Sequence, residues 1–217
     1  MNASNKLAKH PPSELYAGKA LEAAIAIQKR DSKALARLLQ AAPGICKDRG
    51  LKELPLLVWA MGNDNSESFK MLLKAGASPD DYFFMQGVKM SVLTLATGAE
   101  KPDFFLDLLA AKANPNGLPE SEPPLFTAFY CHKEDRFDHL VDIGADLNHA
   151  DETGKTVLMV VCLARDYVKA LSFVNRGAKL DAKMKNGTTL RRIIEKFPLN
   201  PQTEQGRAQL KLKAMIE

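Results

Sequence analysis

Cys131 and His132 are adjacent, His139 lies seven residues on, and Cys162 follows. Thiols and imidazoles are the residue types of a zinc site or of an activated cysteine nucleophile. No C-x-x-C spacing accompanies them, and with Cys46 the cysteines number three, at long and unequal intervals that form no disulfide framework. Free cysteine packs as a small buried hydrophobe, and that reading is preferred for Cys131 and Cys162. His149 falls in a turn after Asn148, where a surface imidazole needs no special role. The chain also lacks a G-x-S-x-G elbow, a G-x-x-x-x-G-K-[ST] loop, a G-x-G-x-x-G turn and an H-E-x-x-H helix. No catalytic residue, metal or cofactor is therefore assigned, and no enzymatic activity is expected.

Charge gives a second candidate chemistry. Thirty Lys and Arg stand against 26 Asp and Glu, a net charge of +4. The densest cationic run, Lys179 to Arg192, holds Lys179, Lys183, Lys185, Arg191 and Arg192 but is interrupted by Asp181. No aromatic residues alternate with these cations to stack bases, so the run is read as a solvated surface and no nucleic-acid partner is expected. A content of 46% hydrophobic and 26% charged residues is that of a folded, soluble chain. Met1 to Pro12 carries Lys6 and Lys9 without an apolar run, which predicts neither signal peptide nor membrane span. The expected location is cytoplasmic, or periplasmic where a leader has been removed.

The elements that must carry these residues recur. Asp151 to Gly154 is turn chemistry, Thr156 to Ala164 a short apolar helix pattern, and Asp166 to Asn175 a second helix closing on Gly177. Gly144 and Gly177 are 33 residues apart, the period of a turn plus two helices in ankyrin repeats. G-K-T-V-L-M-V-V-C at 154 to 162 resembles the ankyrin G-x-T-P-L-H-x-A-A segment, and G-A-D-L-N at 144 to 148 resembles its G-A-D-x-N. The resemblance implies an all-α ankyrin-repeat solenoid of about six helix-turn-helix units, including amino- and carboxy-terminal capping repeats.

The same layout can be followed along the chain. Residues 1 to 13 read as a flexible lead-in and 14 to 217 as one repeat domain. The first unit has helices over Gly18 to Gln28 and from Asp31, an N-cap residue. L-P-L-L-V-W-A at 54 to 60, S-V-L-T-L-A-T at 91 to 97 and P-P-L-F-T-A-F at 123 to 129 begin the next three units, with Pro55 expected in the first helical turn. Lys112 replaces the stopping glycine of the third unit, and Asn114 is expected to share the strain. The sixth unit breaks at Pro198 and Pro201, displacing its second helix to about Glu204 to Ile216. Leu73, Leu109, Val141 and Val174 are spaced by 36, 32 and 33 residues, so the third unit holds an insertion, expected at Tyr82 to Met85. A lone helix pair cannot cover its own apolar face, which makes neighbours obligatory. Leu56, Leu93, Leu125 and Leu158 are expected to form one internal row.

Repeat solenoids bind proteins on their concave surface. The family pattern places Arg49, Leu51, Val88, Met90, Glu120, Glu122, Glu152, Lys155 and Lys185 on hairpins, and Met61, Tyr130 and Leu163 at the exposed ends of inner helices. Trp59 stands where the family has a small alanine, so it either fills the core or acts as an anchor of the kind common in interface hot spots. Tyr82, Phe83, Phe84 and Met85 either fold back on the core or await a partner. A-L-x-x-A-I-x-I-Q-K-R-D at 20 to 31, with L-P-L-L-V-W-A and the K-A-G-A-S-P-D and I-G-A-D-L-N ends, resembles bacterial ankyrin-repeat proteins found beside lipase or phospholipase effectors of type VI secretion systems. The resemblance implies an immunity protein, monomeric when free, that neutralises such an enzyme. A scaffold that recruits a cellular protein without inhibiting it is the alternative.

Overall fold

The structure, a computed structural model, describes residues 10–100, 103–119 and 121–216. Among the described residues twelve α-helices and one β-hairpin follow one another, in six helix pairs. Two compact units hold three pairs each, the first ending at Ser121 and the second beginning at Glu122.

In the first unit the pairs are α1 (Gly18–Gln28) with α2 (Ser32–Ala41), α3 (Leu56–Gly62) with α4 (Ser66–Lys74), and α5 (Val92–Gly98) with α6 (Asp103–Ala110). Inner helix packs on inner helix, α1 on α3 and α3 on α5, while the outer helices α2, α4 and α6 follow the same order. The short inner helices α3 and α5 are buried, and apolar but for Thr94 and Thr97 of α5. Every residue of α3 from Leu56 to Gly62 is buried, and so are Val92 to Thr97 of α5. Capping explains where the outer helices start: Asp31 accepts from Ala34 N at 2.9 Å and Asn65 from Ser68 N at 3.0 Å. Asn65 also donates from its side chain to Ile27 O at 2.8 Å, tying one pair to the one before it. Pro55 sits one place earlier than expected, as the extended N-cap of α3 at φ −61° and ψ 145°.

Order begins ahead of Glu14. Pro12–Glu14 forms a 3-10 turn with Pro12 buried, and Tyr16 behind it is buried too. Of the expected lead-in, residues 1 to 9 lie outside the described residues. The turn after α2 is shaped by Gly50, at φ +61°: a Cβ there would lie 2.4 Å from Leu15 O and 2.7 Å from the Tyr16 ring. No other residue type fits that approach. The extra residues of the third pair form strands β1 (Tyr82–Met85) and β2 (Val88–Ser91), antiparallel with Phe83 opposite Met90. Gln86 and Gly87, at φ +53° and +80°, make the two-residue turn that the twist of a hairpin favours.

The second unit pairs α7 (Pro124–Tyr130) with α8 (Glu134–Asp142), α9 (Val157–Leu163) with α10 (Tyr167–Asn175), and α11 (Leu190–Lys196) with α12 (Glu204–Ala214). Helix α9 packs on α7 and on α11, and α10 packs on α12. Gln209 closes this end: its amide donates to Ile194 O at 2.8 Å and Phe197 O at 2.9 Å, and its oxygen accepts from Leu199 N at 2.8 Å. Leu56 and Leu93 in the first unit, and Leu125 and Leu158 in the second, are all buried.

Lys112 itself takes the left-handed conformation, at φ +65°, where Gly76, Gly144 and Gly177 stand in other pairs at φ +100°, +96° and +101°. Asn114 does not share it and serves instead as a turn residue, accepting from Asn116 N at 3.0 Å.

Candidate protein-binding face

In the first unit, the exposed large apolar groups stand on the hairpin, the turn before α3 and outer helix α6 rather than on the inner helices. Alternation along β1 turns Phe83 inward and Phe84 outward, at 3% and 54% exposure. Val88, Leu51 and Phe84 are exposed, while Met90 is only half-exposed. Tyr82 is held between cations: the Arg49 guanidinium lies 4.0 Å and the Lys89 ammonium 4.8 Å from its ring centroid. Phe84 meets the same ring edge-on at 5.8 Å.

Arg49 is anchored on every side. It pairs with the Asp81 carboxylate, donates to Tyr82 O at 2.8 Å and donates to Glu53 Oε2 at 2.8 Å. Burial raises the Asp81 carboxyl above its ordinary value, outweighing the Tyr82 N–H and Arg49, which act in the opposite sense. Arg49 therefore joins two successive turns, with its guanidinium over the Tyr82 ring.

Three expected contact residues of this unit are core. Trp59 has no exposure, and its indole N–H donates to Ala24 O at 2.9 Å. Met61 is 2% exposed because α3 is covered on all sides, so its end does not project as the repeat pattern suggested. Phe83 is taken up by the inward face of β1. Of the two readings of Trp59, packing is the one the burial supports.

In the second unit, the inner-helix ends do project. Tyr130 closes α7 and Leu163 closes α9, both about half exposed and 33 residues apart. The preceding turns are well tied. Asp151 accepts from Thr153 Oγ1 at 2.6 Å, Thr153 N at 2.9 Å and Lys155 N at 2.9 Å. Against desolvation, these bonds and the Lys155 ammonium hold the Asp151 carboxyl below its ordinary value. Lys155, 3.5 Å from Asp151 Oδ2 and 5.8 Å from the Phe126 ring centroid, is part of that fixed turn. Glu122 accepts the Thr127 hydroxyl at 2.7 Å. Glu152 and Lys185 are exposed at turn tips, and Lys185 N donates to Thr153 O at 2.8 Å, joining two turns through the main chain. Glu120 lies outside the described residues.

Cys131 and Cys162 are not brought together as a site. Cys131 is exposed at the C-cap of α7, whereas Cys162 is buried in α9, where desolvation pushes its thiol up to about 12. His132 serves the turn after α7 at φ +53°. Among the described residues no group of three or more His, Cys, Asp or Glu could hold a metal ion, and no helix is long and apolar enough to cross a membrane.

Paired helices at this period, with inner helices packed on one another and projecting turns, define an ankyrin-repeat fold. No family model and no curated protein matches the sequence. Among solved structures, the ankyrin repeat domain of Bcl-3, a member of the IkappaB protein family, is similar with a TM-score of 0.65 at 20% identity, over 90% of this chain and 84% of that one. A chain of the complex between the Bd0816 predatory endopeptidase from Bdellovibrio bacteriovorus and immunity protein Bd3460 is similar with a TM-score of 0.64 at 18% identity, over 88% of this chain and 97% of that one. Likeness at this identity is likeness of fold.

Proposed function

We propose that this chain is an immunity protein: an ankyrin-repeat module that binds a toxic enzyme made by the same or a competing bacterium and blocks its active site. The observation that carries the reading is the set of exposed apolar side chains on turn tips and inner-helix ends, Leu51, Phe84, Val88, Tyr130 and Leu163. Each leaves about half or more of its surface open to solvent, and apolar groups amid polar neighbours are what a protein partner covers. Two further points favour inhibition over recruitment: the sequence resembles ankyrin proteins beside secreted lipase or phospholipase effectors, and a similar fold occurs in a structure that pairs an endopeptidase with an immunity protein. The proposed partner is a secreted hydrolase, with a lipase or phospholipase preferred. Binding in the cytoplasm protects against enzyme made at home, and binding in the periplasm against enzyme delivered from outside.

The test starts from the partner. The tagged chain is purified from its native cell, the bound protein identified, and that protein expressed with and without the chain in a sensitive host. The expected result is growth arrest by the partner alone, rescue by the chain, and loss of hydrolysis at a one-to-one ratio in vitro. A partner that is harmless, or that keeps full activity in the complex, would establish the adaptor role instead.

A further inference from the structure

The cations of the second unit fall into two groups. Between outer helices α8 and α10 they are matched: Lys169 lies 2.5 Å from Glu134, and Arg176 lies 2.5 Å from Asp138 and 3.5 Å from Asp142. The hollow of about 430 Å³ beside them, between α8 and α10, is thus edged by charges that already have partners.

On the inner side a larger hollow, of about 750 Å³, opens between the end of α9, the turn at 184–188 and α11. Leu163, Met184 and Ile193 line it with apolar surface, and Arg192 and Lys196 border it from α11. Its one carboxylate, Glu195, is engaged by Arg191 at 3.3 Å and Lys213 at 3.4 Å. Among the described residues neither Arg192 nor Lys196 forms an ion pair; the Lys196 ammonium lies 5.1 Å from the Phe197 ring centroid, a contact that leaves its charge without a counter-ion. They stand four residues apart on one face of α11, a like-charge spacing that disfavours a helix unless an anion comes between them. Lys185, exposed between Met184 and Asn186 of the lining turn, adds to the same field.

We infer that this hollow seats an acidic segment of the protein partner, with an aliphatic or aromatic side chain among Leu163, Met184 and Ile193 and a flanking Asp or Glu between Arg192 and Lys196. An anchor in an apolar pocket with charge-assisted bonds at its edge is the usual composition of a binding centre. The volume is that of a pocket for a few side chains rather than for a single ion. No aromatic ring lines the hollow, so it has no platform on which bases would stack. The basic run that reads as plain solvated surface in the sequence thus acquires, at its carboxy-terminal end, a specific anion-facing role. The inference rests on the protein-binding reading above and is independent of whether the partner is toxic.

The test uses a phage-displayed library of random dodecapeptides panned against the full chain, followed by fluorescence titration of synthetic copies of the enriched peptides. Enriched peptides are expected to carry Asp or Glu beside Leu, Phe or Trp. Arg192→Glu and Lys196→Glu are each expected to weaken them by about tenfold or more. Lys179→Glu, in the same run but outside the lining, should bind as the parent does, and all three variants should keep the parental unfolding temperature. No enrichment, enrichment of peptides without acids, or an equal loss in Lys179→Glu overturns the inference. So does a single-stranded oligonucleotide that binds with the same dependence on Arg192 and Lys196 where the peptides do not, which makes the hollow a nucleic-acid seat. Should the peptides behave as expected while the chain fails to rescue growth, the immunity reading falls and this site stands.

Discussion

The indole N–H of Trp59 donates to the main-chain oxygen of Ala24 at 2.9 Å, joining α3 to the inner helix of the preceding pair. Tyr16 meets the same indole edge-on at 5.9 Å and donates its hydroxyl to Leu54 O at 3.0 Å. The largest side chain of the protein is thus a bolt between two repeats, although its position in the repeat pattern suggested a contact surface.

Trp59→Phe should therefore lower stability and leave partner binding alone. Losing the indole donor and part of the ring volume is expected to cost about 1 to 3 kcal/mol. Denaturant unfolding measures the first effect and titration with the partner the second. A binding defect in a variant that stays folded would return Trp59 to the interface.

Tyr130 and Leu158 separate binding from packing within the second unit. Leu158 is buried, and Leu158→Ala should cost about 2 to 5 kcal/mol of stability. Tyr130 and Leu163 are exposed, and alanine at either should weaken the partner by about 1 to 3 kcal/mol with little change in unfolding temperature. Glu67→Ala, exposed on outer helix α4, is the control and should stay within about 0.5 kcal/mol in both assays. Asp107, on outer helix α6, is unsuited to that use, because its side chain is only 21% exposed and its Oδ2 is buried without a hydrogen-bond partner. Normal binding by Tyr130→Ala and Leu163→Ala would move the interface elsewhere.

Lys112 offers a stabilising change. It holds φ +65° at a helix stop where glycine stands in other repeats. An L-residue in the left-handed region costs roughly 1 to 2 kcal/mol, offset in part by the extra freedom glycine gives the unfolded chain. Lys112→Gly is expected to raise stability by about 0.5 to 1 kcal/mol on denaturant unfolding. A loss of stability would show that the lysine side chain contributes more than its backbone costs.

Asp151 predicts a pH effect. Its carboxyl titrates below the ordinary value in the folded chain, because its bonds to Thr153 and Lys155 outweigh desolvation. Its contribution is therefore complete above the unfolded value of about 3.9 and is lost as pH falls through the lower folded value. Asp151→Asn should destabilise at neutral pH and show a smaller loss of stability on acidification below about pH 4 than the parent. Parallel curves for the two proteins would remove the turn carboxylate from the acid response.

Repeat architecture was legible because it rests on local rules: a 33-residue period, Asp31 as a cap, glycines at helix stops, and the Pro198 and Pro201 break before the last helix. Each acts within a few residues of itself, so its effect can be read along the chain. The candidate binding face was legible only in part. Leu51, Tyr130 and Leu163 project as their positions imply, while Trp59, Met61 and Phe83 do not, because exposure at those places depends on what neighbouring pairs lay over them. The Arg49–Asp81 pair, and the lack of a carboxylate partner for Arg192 and Lys196 among the described residues, were likewise beyond the sequence, which records charges but not which of them meet. Local backbone preference specified the helices and their stops; only tertiary packing decided which side chains were covered and which cations were left facing an open hollow.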